Sequence, residues 1–367
     1  MKFSNLMLVS ALTLTLTTAV NAEVNFSGYG SIVAGMGLNE GERFTADFFE
    51  VGQYEDKVTF KPESMIAIQM TADIDEKLRF TGQLTSKGSD DFEPEFSWYY
   101  LTYETENDWT IMLGRRNIPM YYYSEFYDVG YAYPWMRPPS NLYWWQIVQF
   151  NGIHVSRDFS LGDYASNVTV YYGNEFSDDN KEMGFYAEQG FFGSDVVGVD
   201  EDWRHITGVN WNISGEIFDV RFVYMQHLLD RDFRLDNGGT RVGLRTSQTF
   251  YGVGGSLNLF PVTVLFEYNY VERHDDVEDT WPTFIVSAVY NIDDFQPYIS
   301  YSKADQERNT GDDFEQHYLI SYGVRYNFSP SASLKIQYDV FEDQGGPNGW
   351  DFHGDSETIS LGVDFVF

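Results

Sequence analysis

Six histidines, His154, His205, His227, His274, His317 and His353, are the first places to look for acid–base or metal chemistry. None pairs with another at a metal-ligand spacing, and no His-Glu-x-x-His is present. No Gly-x-Ser-x-Gly elbow offers a nucleophile, and Gly252, Gly254 and Gly255 do not form a nucleotide-binding fingerprint. An exposed pair such as His274-Asp275 could be assembled into a hydrolytic site, but nothing around it completes one. What stands out instead is charge and aromatic content. The chain has 23 Lys+Arg against 56 Asp+Glu, a formal charge of -33, which argues against a nucleic-acid partner because no basic face is available to replace phosphate counterions. With 27 Tyr, 30 Phe and 43% hydrophobic residues it is not a disordered acidic chain either. Aromatic residues are densest from Tyr121 to Trp145, where Tyr121, Tyr122, Tyr123, Tyr127, Trp135 and Trp144 offer flat rings that can stack on sugars or pack the segment onto a wall. Pro119, Pro134, Pro138 and Pro139 stiffen it and favour packing.

The elements that must position these residues have a period of two. Ile359, Leu361, Val363, Phe365 and Phe367 share one face of the last segment, with Thr358, Ser360, Gly362 and Asp364 on the other. The same alternation runs through 318–328 and 334–340, and in all predicts about sixteen strands. Their connections alternate between tight turns, such as Asp75-Glu76, Glu106-Asn107 and Ser214-Gly215, and long loops, including 117–143 and 174–202. Short turns on one side and long loops on the other predict an all-β fold, a transmembrane antiparallel barrel with an apolar outer face and a polar lumen. Residues 1–22, with Lys2, a Leu-rich stretch and Val20-Asn21-Ala22, read as a secretory signal peptide, leaving 23–367 as a single barrel domain. Beyond Ala22 no apolar run reaches about 18 residues, the length a helical span needs. The lack of Cys fits an oxidising compartment.

On this architecture, with a long third loop and a terminal Phe367, the chain resembles the Gram-negative porins, trimeric general-diffusion channels of the outer membrane. Ser124-Glu125-Phe126 is similar to the acidic stretch of their constriction loop, although Tyr127 and Asp128 stand where that family has two glycines. The resemblance implies a third loop folded into the lumen, Glu125 and Asp128 as its acidic residues, Phe367 as part of the signal read by the barrel-assembly machinery, and a homotrimer. By alternation Arg79, Arg116, Arg221, Arg325 and Lys335 should face the lumen as basic wall residues, as should Asp339, Asp364 and Glu267. Acid in the outer loops, as at Asp178-Asp179, Asp275-Asp276, Glu278-Asp279 and Asp312-Asp313, should favour cations at the mouth or hold divalent ions against lipopolysaccharide. The expected function is passive diffusion of small hydrophilic solutes and ions, cation-preferring, with no cofactor. The alternatives are an oligosaccharide-specific channel using the aromatic tract, and a non-conducting barrel acting as adhesin, receptor or hydrolase.

Overall fold

In the computed structural model, residues 23–274, 278–308, 315–345 and 353–367 are described. The expected signal segment 1–22 lies outside them. Sixteen strands close into an antiparallel barrel: β1 (Val24–Gly37), β2 (Met65–Asp73), β3 (Leu78–Lys87), β4 (Pro94–Glu104), β5 (Trp109–Asn117), β6 (Gln149–Leu161), β7 (Tyr164–Ser177), β8 (Val196–Ser214), β9 (Phe218–Leu235), β10 (Thr240–Leu259), β11 (Val262–His274), β12 (Asp279–Tyr290), β13 (Phe295–Asp305), β14 (Gln316–Ser329), β15 (Ala332–Asp343) and β16 (Ser356–Val366). Each strand pairs with its sequence neighbour, and β1 closes the ring on β16, with Ile32 opposite Val363 and Tyr29 opposite Val366. Closure leaves no edge with unpaired backbone groups, the condition for sitting in hydrocarbon.

The alternation places side chains as expected. Ile359, Leu361 and Phe367 of the last segment are exposed toward lipid, while Thr358, Ser360 and Asp364 are buried in the lumen. Tyr268, Tyr290 and Tyr322 are also exposed on the outer surface. Phe367 exchanges two backbone hydrogen bonds of 2.9 Å with Gly28, and a Cβ on Gly28 would fall 2.6 Å from the Ala67 carbonyl oxygen, so the seam needs glycine there.

Two paired strands outrun the expectation. The expected ends at 203 and 228 are replaced by strands that begin at Val196 and continue to Leu235. Charged residues blur the apolar alternation there, but they are held by ion pairs, Arg204 with Asp230 and Arg231 with Glu201, as strands emerge from the hydrocarbon into water. The third outer loop, L3, runs from 118 to 148, so the strand expected from 144 starts only at Gln149.

The lumen is well filled. L3 supplies a large share of the largest buried cluster, setting Tyr121, Tyr127, Trp135 and Trp145 against Phe250, Trp281 and Ile285 of the wall. A small hairpin in the first outer loop (Phe44–Asp47 with Gly52–Tyr54) packs inward on Leu319 and Phe341. Helix α1 (Lys181–Glu188) in the fourth outer loop buries Met183 and Ala187 against Val196 and Val199. Asn180 caps its first turn by accepting from the Met183 N–H at 3.1 Å.

Candidate pore constriction

Glu125 is the central residue of the 3₁₀ turn Ser124–Phe126 of L3, and its carboxylate meets the wall at β5 and β9. There it meets two guanidiniums, Arg116 at 3.3 Å and Arg221 at 3.5 Å. Arg221 also donates to the Pro119 carbonyl at 3.0 Å and the Tyr122 carbonyl at 3.4 Å, and Arg116 lies over the Tyr100 ring at 4.9 Å. Wall and loop thus hold each other in register. These groups line a polar cavity of about 530 Å³ with His154, Ser156, Asn167, Thr169, Asn210 and Asn212. Asn167 and Asn212 also line a wider space of about 1720 Å³ that reaches Glu104, Thr105, Asp108 and Ser214 at the short turns. Polar groups therefore extend from the short-turn side to L3, where two cations face one anion in a space too narrow for bulk screening.

The remaining expected residues lie elsewhere. Lys335 is wholly buried, donates 2.6 Å hydrogen bonds to the Gly130 and Trp135 carbonyls, and pairs with Asp364 at 2.8 Å. Arg325 donates to the Tyr133 carbonyl at 3.1 Å and covers the Tyr131 ring. Both face inward, yet they fasten L3 instead of lining open water. Asp128 is buried against Lys87 at 3.2 Å, on the opposite side of L3 from Glu125. Arg79 faces inward at the short-turn rim, paired with Asp73 at 2.6 Å and remote from L3. Glu267 accepts from the Tyr143 hydroxyl at 2.6 Å and the Tyr122 N–H at 3.0 Å, and Asp339 is buried beside Gln337. Of the acids expected in solvated outer loops, Asp279 is buried in the lumen, bridging Arg273 and Arg308 at 3.0 Å each, and Asp179 pairs with Arg234. Asp275, Asp276, Asp312 and Asp313 lie outside the described residues.

The aromatic tract is a packing element over most of its length. Tyr121, Tyr127 and Trp135 are buried, Tyr122 donates its hydroxyl to Asp219 at 2.7 Å, and Tyr123 packs edge-on to Trp135 at 5.5 Å. Their faces are taken by neighbours, so they do not form a stacking track. Trp144, half-buried, is the exception and lines an outer cavity. Burial pushes the Tyr122 and Tyr143 phenols up, with Asp219 adding to the effect at Tyr122 and Glu267 at Tyr143.

Several residues that matter here leave no sequence signal. The inward hairpin brings Asp47 within 3.3 Å of Arg137, which also faces Glu63 at 3.6 Å, and Glu50 reaches Lys87 at 3.7 Å and Lys181 at 2.8 Å. Burial works against the Arg137 charge, but Asp47 and its neighbours hold that guanidinium well above its ordinary value, whereas burial pushes the Glu63 carboxyl up against the opposing pull of Arg137. His317 lies across the β14–β15 ladder from Asp343 and beside Glu315, and donor atoms of the three lie within 4.8 Å of one another, the one group among the described residues that could hold a metal.

Residues 8–346 match the model of the Gram-negative porin family. Similar solved structures include a trimer form of OmpT, an outer membrane protein of Vibrio cholerae (14% identity, 94% of this chain and 99% of that one, TM-score 0.61). The outer membrane channel DcaP of Acinetobacter baumannii (12%, 94% and 97%, 0.60) and an anion-selective porin from Comamonas acidovorans (13%, 94% and 100%, 0.58) share the fold as well. No curated protein matches the sequence. With its closed sixteen-strand barrel, inward third loop and family match over most of its length, this chain belongs to the Gram-negative porin family and is an outer-membrane channel protein.

Proposed function

We propose that the barrel passes small hydrophilic solutes and ions by passive diffusion, without turnover of a substrate, and does so as a homotrimer. The observation that carries this reading is the Glu125 carboxylate held between Arg116 and Arg221 in a polar cavity that shares Asn167 and Asn212 with the wider space at the short turns. A transverse field of this kind orders water and sorts solutes by charge and dipole without binding any of them tightly. The trimer follows by likeness to the OmpT trimer form. The formal charge of -33 favours cations at the mouths, while two guanidiniums against one carboxylate temper that preference at L3. Exposed loop acids such as Asp178 would hold divalent ions that bridge to lipopolysaccharide, and the exposed Phe367 would serve assembly. Reversal potentials across a salt gradient test the filter. Arg116→Ala should raise cation preference and Glu125→Gln should lower it, and unchanged potentials in both would remove the assignment.

A further inference from the structure

A second cavity, of about 710 Å³, lies on the outer side of L3 and has no part in the constriction. Its walls are aromatic: Phe48 from the first loop, Trp144 from L3, Tyr186 and Phe192 from the fourth loop, and Trp281 from β12. Trp144 and Trp281 stand 5.7 Å apart at 47°. Two polar groups in the lining are left over. Asn141, fully buried, accepts from the Ser302 hydroxyl at 2.8 Å through its amide oxygen, but its amide nitrogen has no hydrogen-bond partner. Glu182, 2% exposed, accepts from Tyr186 at 3.4 Å through one carboxyl oxygen, and the other has none. Burying such groups unpaired is costly, so each marks a place where a partner is expected.

One donor and one acceptor, left open in an aromatic chamber, define what fits. An apolar solute would leave both unsatisfied. An organic cation would answer Glu182 but leave the Asn141 amide nitrogen unpaired. A hydroxyl both donates and accepts, and a pyranose adds flat C–H faces for the rings. We propose that this cavity is a capture site for neutral sugars at the outer mouth, with Asn141 donating to one hydroxyl, Glu182 accepting from another, and Trp144 supplying the stacking surface.

The site is tested without conductance, so its failure is distinguishable from failure of the channel reading. The purified full-length barrel in detergent is titrated with maltotriose, cellotriose and chitotriose while tryptophan emission is followed. Saturable quenching by at least one sugar is expected, weakened about tenfold by Asn141→Ala and by Glu182→Leu in protein that keeps the heat-modifiable migration of a folded barrel. Should either variant fail to fold, Trp144→Leu supplies the same test from the stacking side. Absence of saturation with all three sugars, binding unchanged by the substitutions, or saturation by choline alone would each overturn the proposal.

Discussion

L3 uses the same chemistry on its two sides for opposite ends. Toward β5 and β9, Arg116 and Arg221 meet Glu125 at 3.3–3.5 Å beside an open cavity, and the Glu125 side chain keeps 35% of its exposure. Toward β15 and β16, Lys335 meets Asp364 at 2.8 Å with side-chain exposures of 0% and 1%, and its remaining donors are used on L3 carbonyls. A pair left beside water can exchange partners with passing ions, whereas a sealed pair whose ammonium donors are all engaged works as a fastener. Burial and satisfaction of donors, more than residue type, separate filter from lock.

The comparison is broken most severely by Lys335→Met. Leaving Asp364 buried without its cation should cost about 3–5 kcal/mol, seen as a lower denaturant midpoint and as a larger, noisier conductance when L3 loses its anchor. The paired change Lys335→Met with Asp364→Asn should restore much of the stability; no difference between single and double variants would mean that the pair is no fastener. Gly130→Ala comes next. A Cβ there would lie 2.2 Å from Asp364 Oδ1, a carboxylate that Lys335 and Ser31 prevent from swinging aside, so a loss of about 1–3 kcal/mol is expected in the same measurement.

A pH-dependent effect should follow at the first-loop hairpin. His353 stacks on Phe48 at 4.0 Å and bonds Thr45 at 3.1 Å, and burial, with nearby His317, holds its imidazole well below the ordinary value. A depressed base contributes its stability above its unfolded value of about 6.5 and loses it as pH falls below that point. Protease cleavage within 44–54 should therefore quicken in mild acid, and His353→Phe should flatten the response; an unchanged acid response would acquit His353. The smallest change is expected at the filter, where Arg116→Ala should shift the cation-to-anion permeability ratio about twofold, because partial solvation screens the lost charge.

How much of this was legible in the sequence follows from which forces act locally. In a barrel the lipid must see apolar residues at every second position, so β14, β15 and β16 are plain from Tyr318–Phe328, Leu334–Val340 and Ile359–Phe367. Inward orientation of Arg221, Arg325 and Lys335 follows from the same parity. Position along the pore does not, which is why Arg79 faces the lumen yet sits at the rim, and why Asp128, three residues after Glu125, turns to Lys87. The inward hairpin is set by contacts between distant segments, Asp47 with Arg137 and Phe44 with Phe341, and such contacts have no period to read. The rings of L3 signalled an interior segment, but only their packing partners decide that Tyr121 is filler and Trp144 lines a cavity.

Single-channel recording of the purified protein in a planar bilayer tests the central claim most directly. Open events grouped in threes, with small unit conductance that rises when Lys335→Met frees L3, are the predicted result. Protein that is demonstrably folded and inserted yet gives no conductance steps, before and after that substitution, would contradict it.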